Sequence, residues 1–133
     1  MSALVRSLGL NQLGAIAGIY SDANSVNHGF IRNPSGKFTI FDVPGAGTGT
    51  YQGTGCFSDC PVSLNNRGAL TGIYIDANYG YHGYLRSPDG KITTIDPHGS
   101  TLTFSSGIND RGDITGYYLD GNNVVHGFLR IPD

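Results

Sequence analysis

Three histidines recur at one position of a repeated pattern and are the sharpest candidates for chemistry. They are His28, His82 and His126, and each is followed by Gly and an aromatic residue. If the repeats surround an axis, the three imidazoles form a ring that can bind zinc and lower the pKa of bound water for hydrolysis. The structural alternative is that each imidazole bonds a neighbouring turn through the Asp-x-Asn segment, because a residue present in every repeat usually serves every repeat.

The asparagine that ends the first strand of each repeat is a second metal candidate. A channel lined by these strands would place amide oxygens around one mouth, which suits a hard cation such as calcium. The residues are Asn11, Asn65 and Asn109. Turn formation is the competing explanation, since a Gly follows each Asn three residues later. The Asp-x-Asn segments also resemble part of a calcium loop, but Asx turns explain them without an ion.

Proton transfer and ligand binding call on other residues. In a metal-dependent hydrolase, His98 or Asp110 would transfer the proton. A binding site for sugars needs aromatic faces beside polar side chains. The repeats supply such a set at Tyr20, Tyr74, Tyr118, Arg32, Arg86 and Arg130. Residues that break the repeat are more informative about function than residues that obey it; they include Tyr51, Cys56, Phe57, Asp59, Cys60 and Tyr79 to Tyr81.

The repeated histidines, asparagines, tyrosines and arginines lie in a pattern that occurs three times. Residues 64–90 align with 10–36 and with 108–133, and share Leu/Ile-Asn, Gly-Ile/Tyr-Tyr, Asp-x-Asn, His-Gly-Phe/Tyr and Ile/Leu-Arg. The period of about 44 residues is typical of a propeller blade. We predict one domain over residues 1–133, with repeats at about 10–61, 64–107 and 108–133.

Each repeat divides into four strand-like pieces, and the composition of 21 Gly and 14% charged residues favours short strands with tight turns. The second piece covers 15–22, 69–76 and 113–120, and the fourth covers 37–42 and 91–96. The third repeat stops before a fourth strand, which residues 1–9 can supply. We therefore predict an all-β, propeller-like array that completes a six-bladed ring as a homodimer, because propellers usually have four to eight blades. A three-bladed monomer and a piece of a longer array are the rivals.

Charge and cysteines limit the partners. A net charge of −2 gives no broad attraction to nucleic acid or to anionic membranes. No apolar run is long enough to span a membrane, and the N-terminal residues lack a secretory signal. Cys56 and Cys60 form a local disulfide if the protein is exported and free thiols otherwise, while a zinc site would need a second pair of ligands.

The pattern INDRGDITGYYLDGNNVVHGFLR resembles the bacterial family of extracellular repeats that is named for a His-Ala-Phe signature. The middle residue departs from that signature, since it is Gly here. The resemblance implies a propeller-like array at an extracellular or periplasmic location, and it implies no activity.

Three classes of function follow from the sequence. The leading hypothesis is a non-catalytic propeller module that binds a small molecule or a glycan. The second is a hydrolase of phosphoesters, lactones or related esters that uses a divalent metal, calcium or zinc. The third is a structural repeat of surface assemblies.

Overall fold

The chain forms β-strands joined by turns in a computed structural model that describes residues 4–58 and 60–133, so residues 1–3 and Asp59 lie outside it. The all-β prediction is confirmed. Within the described residues, no helix is long and apolar enough to cross a membrane. The strands are β1 (Leu4–Leu10), β2 (Ile16–Ser21), β3 (Asn27–Arg32), β4 (Phe38–Phe41), β5 (Gly53–Thr54), β6 (Ser63–Leu64), β7 (Leu70–Ile75), β8 (Tyr81–Arg86), β9 (Ile92–Ile95), β10 (Ser100–Ile108), β11 (Ile114–Asp120) and β12 (Val125–Arg130).

The repeated pattern folds into three antiparallel units of similar design. The first unit is β1–β4, the second is β6–β9 and the third is β10–β12. The central hairpin has one register in all three units, where a glycine opposes an aromatic residue at Gly18–Phe30, Gly72–Tyr84 and Gly116–Phe128. The Gly that closes each Asn turn has a φ of 87° or 88°, which side chains rarely allow. The shared residues therefore specify a shared hairpin.

The first two units are joined by β5, whereas the third unit stands apart in its strand pairing. The short strand β5 pairs with both β3 and β7, so the first two units form one nine-stranded sheet, and the third unit is a separate three-stranded sheet. The sequence suggested a fourth strand for the third unit from residues 1–9. Leu4–Arg6 pair instead with Ile19–Ser21, as the start of the first unit's own first strand.

The units stack through alternating faces of their second strands. We call the face that carries Leu70 and Tyr74 of the second unit the leading face, and the face that carries Thr71 and Ile73 the trailing face. The trailing face of the first unit packs on the leading face of the second, where Ile19 joins one apolar cluster with Leu70 and Tyr74. The third unit covers the trailing face of the second, where Phe104 of β10 packs on a cluster that contains Ile73 and Ile75. Among the described residues, no strand pairing links the third unit back to the first.

Candidate functional site

The candidate residues divide between two opposite ends of the units. Each second strand runs from an Asn turn to an Asp-x-Asn turn, so we name these ends the Asn end and the Asp end. The six residues of β7 span roughly 20 Å at the usual rise of a strand. The repeated asparagines and arginines lie at the Asn end, and the repeated histidines and tyrosines lie at the Asp end. The two metal sites predicted from sequence would therefore be separate sites.

His82 shows the environment of the repeated histidine in full. Its Nδ1 lies 2.7 Å from Oδ2 of Asp96, and its Nε2 lies 2.7 Å from Oδ2 of Asp76. Its ring stacks on that of Tyr74, with centroids 4.9 Å apart. The first unit repeats this arrangement with His28, Asp42, Asp22 and Tyr20. Both ring nitrogens are thus engaged by carboxylates within the unit.

The two carboxylates favour the charged imidazole. Partial burial lowers the pKa of His82, but the hydrogen bonds and negative charges of Asp76 and Asp96 outweigh it, and the pKa is raised above its ordinary value. The same balance raises the pKa of His28. In return, the hydrogen bond from His82 lowers the pKa of Asp76. A metal binds the neutral imidazole, so this environment opposes the ligand role that the sequence suggested for these histidines.

The Asp-x-Asn turn explains why the histidine recurs. Oδ1 of Asp76 accepts hydrogen bonds from the backbone N–H groups of Asn78 and Gly80, both at 2.8 Å, while Oδ2 meets the imidazole. In the third unit, His126 keeps the bond to its own turn, 2.8 Å from Oδ2 of Asp120. A bond from the imidazole to this turn, the structural alternative, is therefore present in all three units. The aspartate oxygens form Asx turns and need no calcium.

The three asparagines at the Asn end form a ladder that links the units. Nδ2 of Asn11 donates to the carbonyl oxygen of Asn65 at 3.0 Å, and Nδ2 of Asn65 donates to that of Asn109 at 2.9 Å. The side-chain oxygen of Asn65 accepts from the N–H groups of Arg67 and Ala69 at 3.0 and 2.8 Å. These amides hold the turn and the next unit. Among residues 4–58 and 60–133, no group of three or more His, Cys, Asp or Glu side chains could hold a metal ion.

The two predicted proton-transfer residues lie at opposite ends of one strand. His98 precedes β10 and Asp110 follows it, so the nine residues of that strand place them about 30 Å apart. Asp110 links the third unit to the second, because its carboxylate accepts hydrogen bonds from the backbone N–H of Asn66 at 2.8 Å and from the side-chain amide of Asn66 at 3.0 Å. These bonds lower the pKa of Asp110. The structure does not bring His98 and Asp110 to one site.

The predicted ligand-binding tyrosines and arginines are also parted within each unit. Tyr74 pairs with His82 in the central hairpin, whereas Arg86 pairs with Leu70. Leu70 lies four residues before Tyr74 on β7, so the backbone positions of the tyrosine and the arginine are about 13 Å apart. The guanidinium of Arg86 lies over the ring of Phe41 of the first unit, 5.2 Å from its centroid, in a cation–π contact. The remaining members of this set occupy equivalent places: Tyr20, Tyr118, Arg32 and Arg130.

The insertion between residues 45 and 61 forms a wedge between the first two units at the Asp end. The side chains of Gln52 and Thr54 are buried in it. Gly53 has a φ of 111°, and a Cβ there would overlap the carbonyl oxygen of Asn27. Asn27, which is fully buried, donates its N–H to the carbonyl oxygen of Gln52 at 2.9 Å. No feature of the sequence marks Asn27, Gln52 or Thr54 as residues that join the units.

A disulfide closes the end of this insertion. Cys56 and Cys60 are bonded to each other, which confirms the local disulfide considered from the sequence. Arg6 of β1 fastens the loop, because its Nη1 donates to the carbonyl oxygens of Phe57 and Ser58 at 3.0 and 2.8 Å, and its Nη2 donates to that of Cys56. The first strand thereby holds the insertion against the first unit.

Exposed aromatic side chains meet where the insertion reaches the Asp end. The rings of Tyr51 and Phe57 pack edge to face with centroids 4.7 Å apart. Tyr79 of the second unit donates its hydroxyl at 3.0 Å to the carbonyl oxygen of Thr50, the residue that precedes Tyr51. We name Tyr51, Phe57 and Tyr79 the aromatic corner. The sequence singled out these residues because they break the repeat, and the structure brings them together.

The corner also holds strained backbone. Tyr51 and Tyr79 have φ values of 64° and 61°, in the left-handed region that bulky residues avoid. The equivalents of Tyr79 in the other two units are Ser25 and Asn123, which share its φ with smaller side chains. Two of the four side-chain-bearing residues found with positive φ among the described residues are thus exposed tyrosines of one corner.

The chain matches no protein-family model, and it has no significant match among curated proteins. The resemblance to the His-Ala-Phe repeat family therefore stays a prediction. Fold and local chemistry alone define what can be proposed: an all-β protein of three stacked antiparallel units with one exposed aromatic corner.

Proposed function

We propose that this chain is a non-catalytic module of the β-propeller type that binds a glycan at its aromatic corner. The three units are blades, and the complete ring has six blades from two chains. Histidine, aspartate and asparagine side chains that resembled catalytic or metal-binding groups are used to hold turns and neighbouring units. The exposed surface that remains for a ligand is aromatic and lies at the Asp end.

The backbone of Tyr79 carries this proposal. A tyrosine in the left-handed region costs about 1 kcal/mol or more relative to Asn or Gly. The third repeat avoids this cost at the equivalent turn position with Asn123, and the first repeat has the smaller Ser25 there. The tyrosine does not serve the core, because its ring is exposed to solvent. The hydroxyl of Tyr79 holds the insertion through the carbonyl oxygen of Thr50, and the ring is left exposed as a surface for a ligand.

The chemistry of the corner suits a sugar. The faces of Tyr51 and Tyr79 are exposed, and the C–H groups of a pyranose ring pack on such faces. Sugar hydroxyls find hydrogen-bond partners at the edge of the corner, where the backbone of the insertion and the turn of the second unit are exposed. The Cys56–Cys60 disulfide supports an extracellular or periplasmic location, since disulfides persist in oxidising compartments.

Glycan arrays followed by titration calorimetry test the proposal. We expect millimolar to micromolar binding by the natural chain and a loss of at least about tenfold in Tyr79→Asn. That variant places in the second unit the residue that the third unit has, so its thermal stability should be equal or higher. Tyr79→Phe is the matched control, because it keeps the aromatic face and removes only the hydroxyl bond to Thr50. Absence of binding to any glycan at millimolar concentration, or equal binding by Tyr79→Asn, would overturn the proposal.

A further inference from the structure

The trailing face of the third unit is uncovered, and the second unit shows what it lacks. In the second unit, Ile73 is only 1% exposed, because Phe104 of the third unit and the disulfide of Cys56 and Cys60 pack in one cluster with it. Its equivalent in the third unit, Tyr117, is 41% exposed. Leu129 and Val125 on the same face are also exposed. One blade face that the fold elsewhere buries is therefore open at this end of the chain.

The leading face of the first unit is open at the other end. Leu10 is 69% exposed, whereas its equivalent in the second unit, Leu64, is 7% exposed. Phe38 of β4 is exposed, and its equivalent Ile92 is half-buried against the core of the second unit. These apolar side chains would form the kind of contiguous patch that marks an interaction surface.

The asparagine ladder is open at the same two ends. Asn11 and Asn65 each donate Nδ2 to the carbonyl oxygen of the next unit's asparagine. Within residues 4–58 and 60–133, no further unit accepts from Asn109, and its Nδ2 bonds instead to Asp113 of its own turn at 2.8 Å. A parallel ladder runs from the N–H of Gln12 to Asn66 and from the N–H of Asn66 to Asp110, both at 2.8 Å. The third unit thus has the Nδ2 donor of Asn109 at its open end. The carbonyl oxygen of Asn11, at the open end of the first unit, is the matching acceptor.

We propose that the trailing face of the third unit docks on the leading face of the first unit of a second copy of this chain. The inference rests on the proposed blade arrangement and names the partner that completes it. The contact continues the one that already joins the first unit to the second and the second to the third. Two copies carry two such contacts and close a ring of six units, in which neither apolar face remains open.

The mass of the assembly in solution is the first test. Native mass spectrometry and light scattering over a range of concentrations should give twice the chain mass of 14.1 kDa. A monomer at every concentration would overturn the proposal. Large assemblies that grow with concentration would also overturn it, because a head-to-tail contact that does not close produces an open filament.

Two charged variants test the direction of the contact. Leu10→Asp and Leu129→Asp change exposed residues, so each chain should fold, and each alone should dimerise about 100-fold more weakly because a charge is buried in an apolar contact. Mixing the two variants should restore a dimer, since one of its two contacts then has both natural faces. Dimerisation of either variant alone at the natural strength would mean that like faces meet, and would overturn the head-to-tail contact. Tyr51→Asp, an equally exposed change away from both faces, should leave the mass unchanged.

These outcomes are separate from glycan binding. Tyr79→Asn alters the aromatic corner and neither end face, so it should lose glycan and keep the dimer. Leu10→Asp should lose the dimer and keep the intrinsic affinity of each corner for glycan. The experiments therefore show separately whether the glycan proposal fails and whether the dimer proposal fails.

Discussion

Replacement of Asn65 separates the structural role of the asparagine ladder from a role in binding a cation. The buried side chain makes three hydrogen bonds, two accepted from the backbone at 3.0 and 2.8 Å and one donated to Asn109 at 2.9 Å. Each is worth about 1 kcal/mol net, and removal of the acceptor also leaves the buried N–H of Ala69 unpaired. We therefore expect Asn65→Ala to lower the free energy of unfolding by about 3 kcal/mol.

The third unit provides a matched control for this substitution. Asn109 accepts from the N–H of Asp113 at 2.9 Å and donates to the same residue, and both groups are exposed. Asn109→Ala should therefore cost about 1 kcal/mol or less. Urea unfolding followed by circular dichroism measures both substitutions in the Leu10→Asp background, where the chain is expected to be monomeric and Asn109 keeps only the bonds of its own turn. Equal losses in the two variants, or a loss below about 1 kcal/mol for Asn65→Ala, would refute the ladder as a structural device.

Asn65→Asp tests whether the asparagine turns can bind a cation. The carboxylate keeps both backbone bonds, but it places an oxygen where Nδ2 met the carbonyl of Asn109, so we expect a loss of about 1–2 kcal/mol. A ring of oxygens that bound calcium would instead gain affinity from the added charge. The midpoint of urea unfolding should be the same with calcium chloride and with chelator. A rise with calcium in Asn65→Asp would show that the turn oxygens can serve a cation.

Two more predictions concern the histidines and the glycines of the central hairpin. His82 and its first-unit counterpart have raised pKa values, so their stabilisation is complete below the unfolded value of about 6.5 and is lost as the pH rises through the folded value. The aspartates of their turns have lowered pKa values, so their stabilisation is present above about 3.9 and is lost as the pH falls. The urea midpoint of the natural chain should be highest between about pH 4 and 6.5. It should fall between about pH 6 and 8, and His82→Gln should make that fall smaller. A midpoint that stays constant between about pH 6 and 8 in the natural chain would contradict this prediction. Gly116→Ala should lower the free energy of unfolding by about 2–3 kcal/mol, because its Cβ would overlap the carbonyl oxygen of Phe104. Gly72→Ala should change it by less than about 1 kcal/mol, because its Cβ would meet only the Tyr84 side chain, at 3.1 Å. Equal effects of the two substitutions in urea unfolding would argue against this packing.

The central hairpins could be predicted from the sequence because their pattern is apolar, periodic and bounded by turn residues. The segment expected at 69–76 is β7, Leu70–Ile75, and the segment expected at 91–96 contains β9. The turn signals predict first strands at 8–11, 62–65 and 107–109, which is too short for the first and third units, where β1 begins at Leu4 and β10 at Ser100. The inward residues of β10 are the fully buried Thr103 and Ser105, so hydrophobic periodicity does not mark the buried face.

The candidate site was predicted from residue types but not from their contacts. The sequence places Asp76 six residues before His82, and an imidazole bond to that turn was foreseen. The second carboxylate, Asp96, lies 14 residues after the histidine on the far side of β9, and only the fold brings it to the ring. The sequence likewise identifies Tyr51 and Tyr79 as departures from the repeat, but the 27 residues between them conceal that both reach one corner.

The distribution of these departures explains how three similar units can carry one specific site. Residues that every unit shares hold the turns, as the ladder and the histidine bonds show, and changing them would weaken all units alike. The insertion occurs once, and it is held from both sides by Arg6 of the first unit and by Tyr79 of the second. Its backbone is buried at Gly53, so the exposed aromatic rings are presented from a fixed base and not from a free loop. A ligand site that appears at one junction between units, on a scaffold whose other junctions remain plain, is the arrangement expected when a repeat protein gains binding specificity without disturbing its stacking.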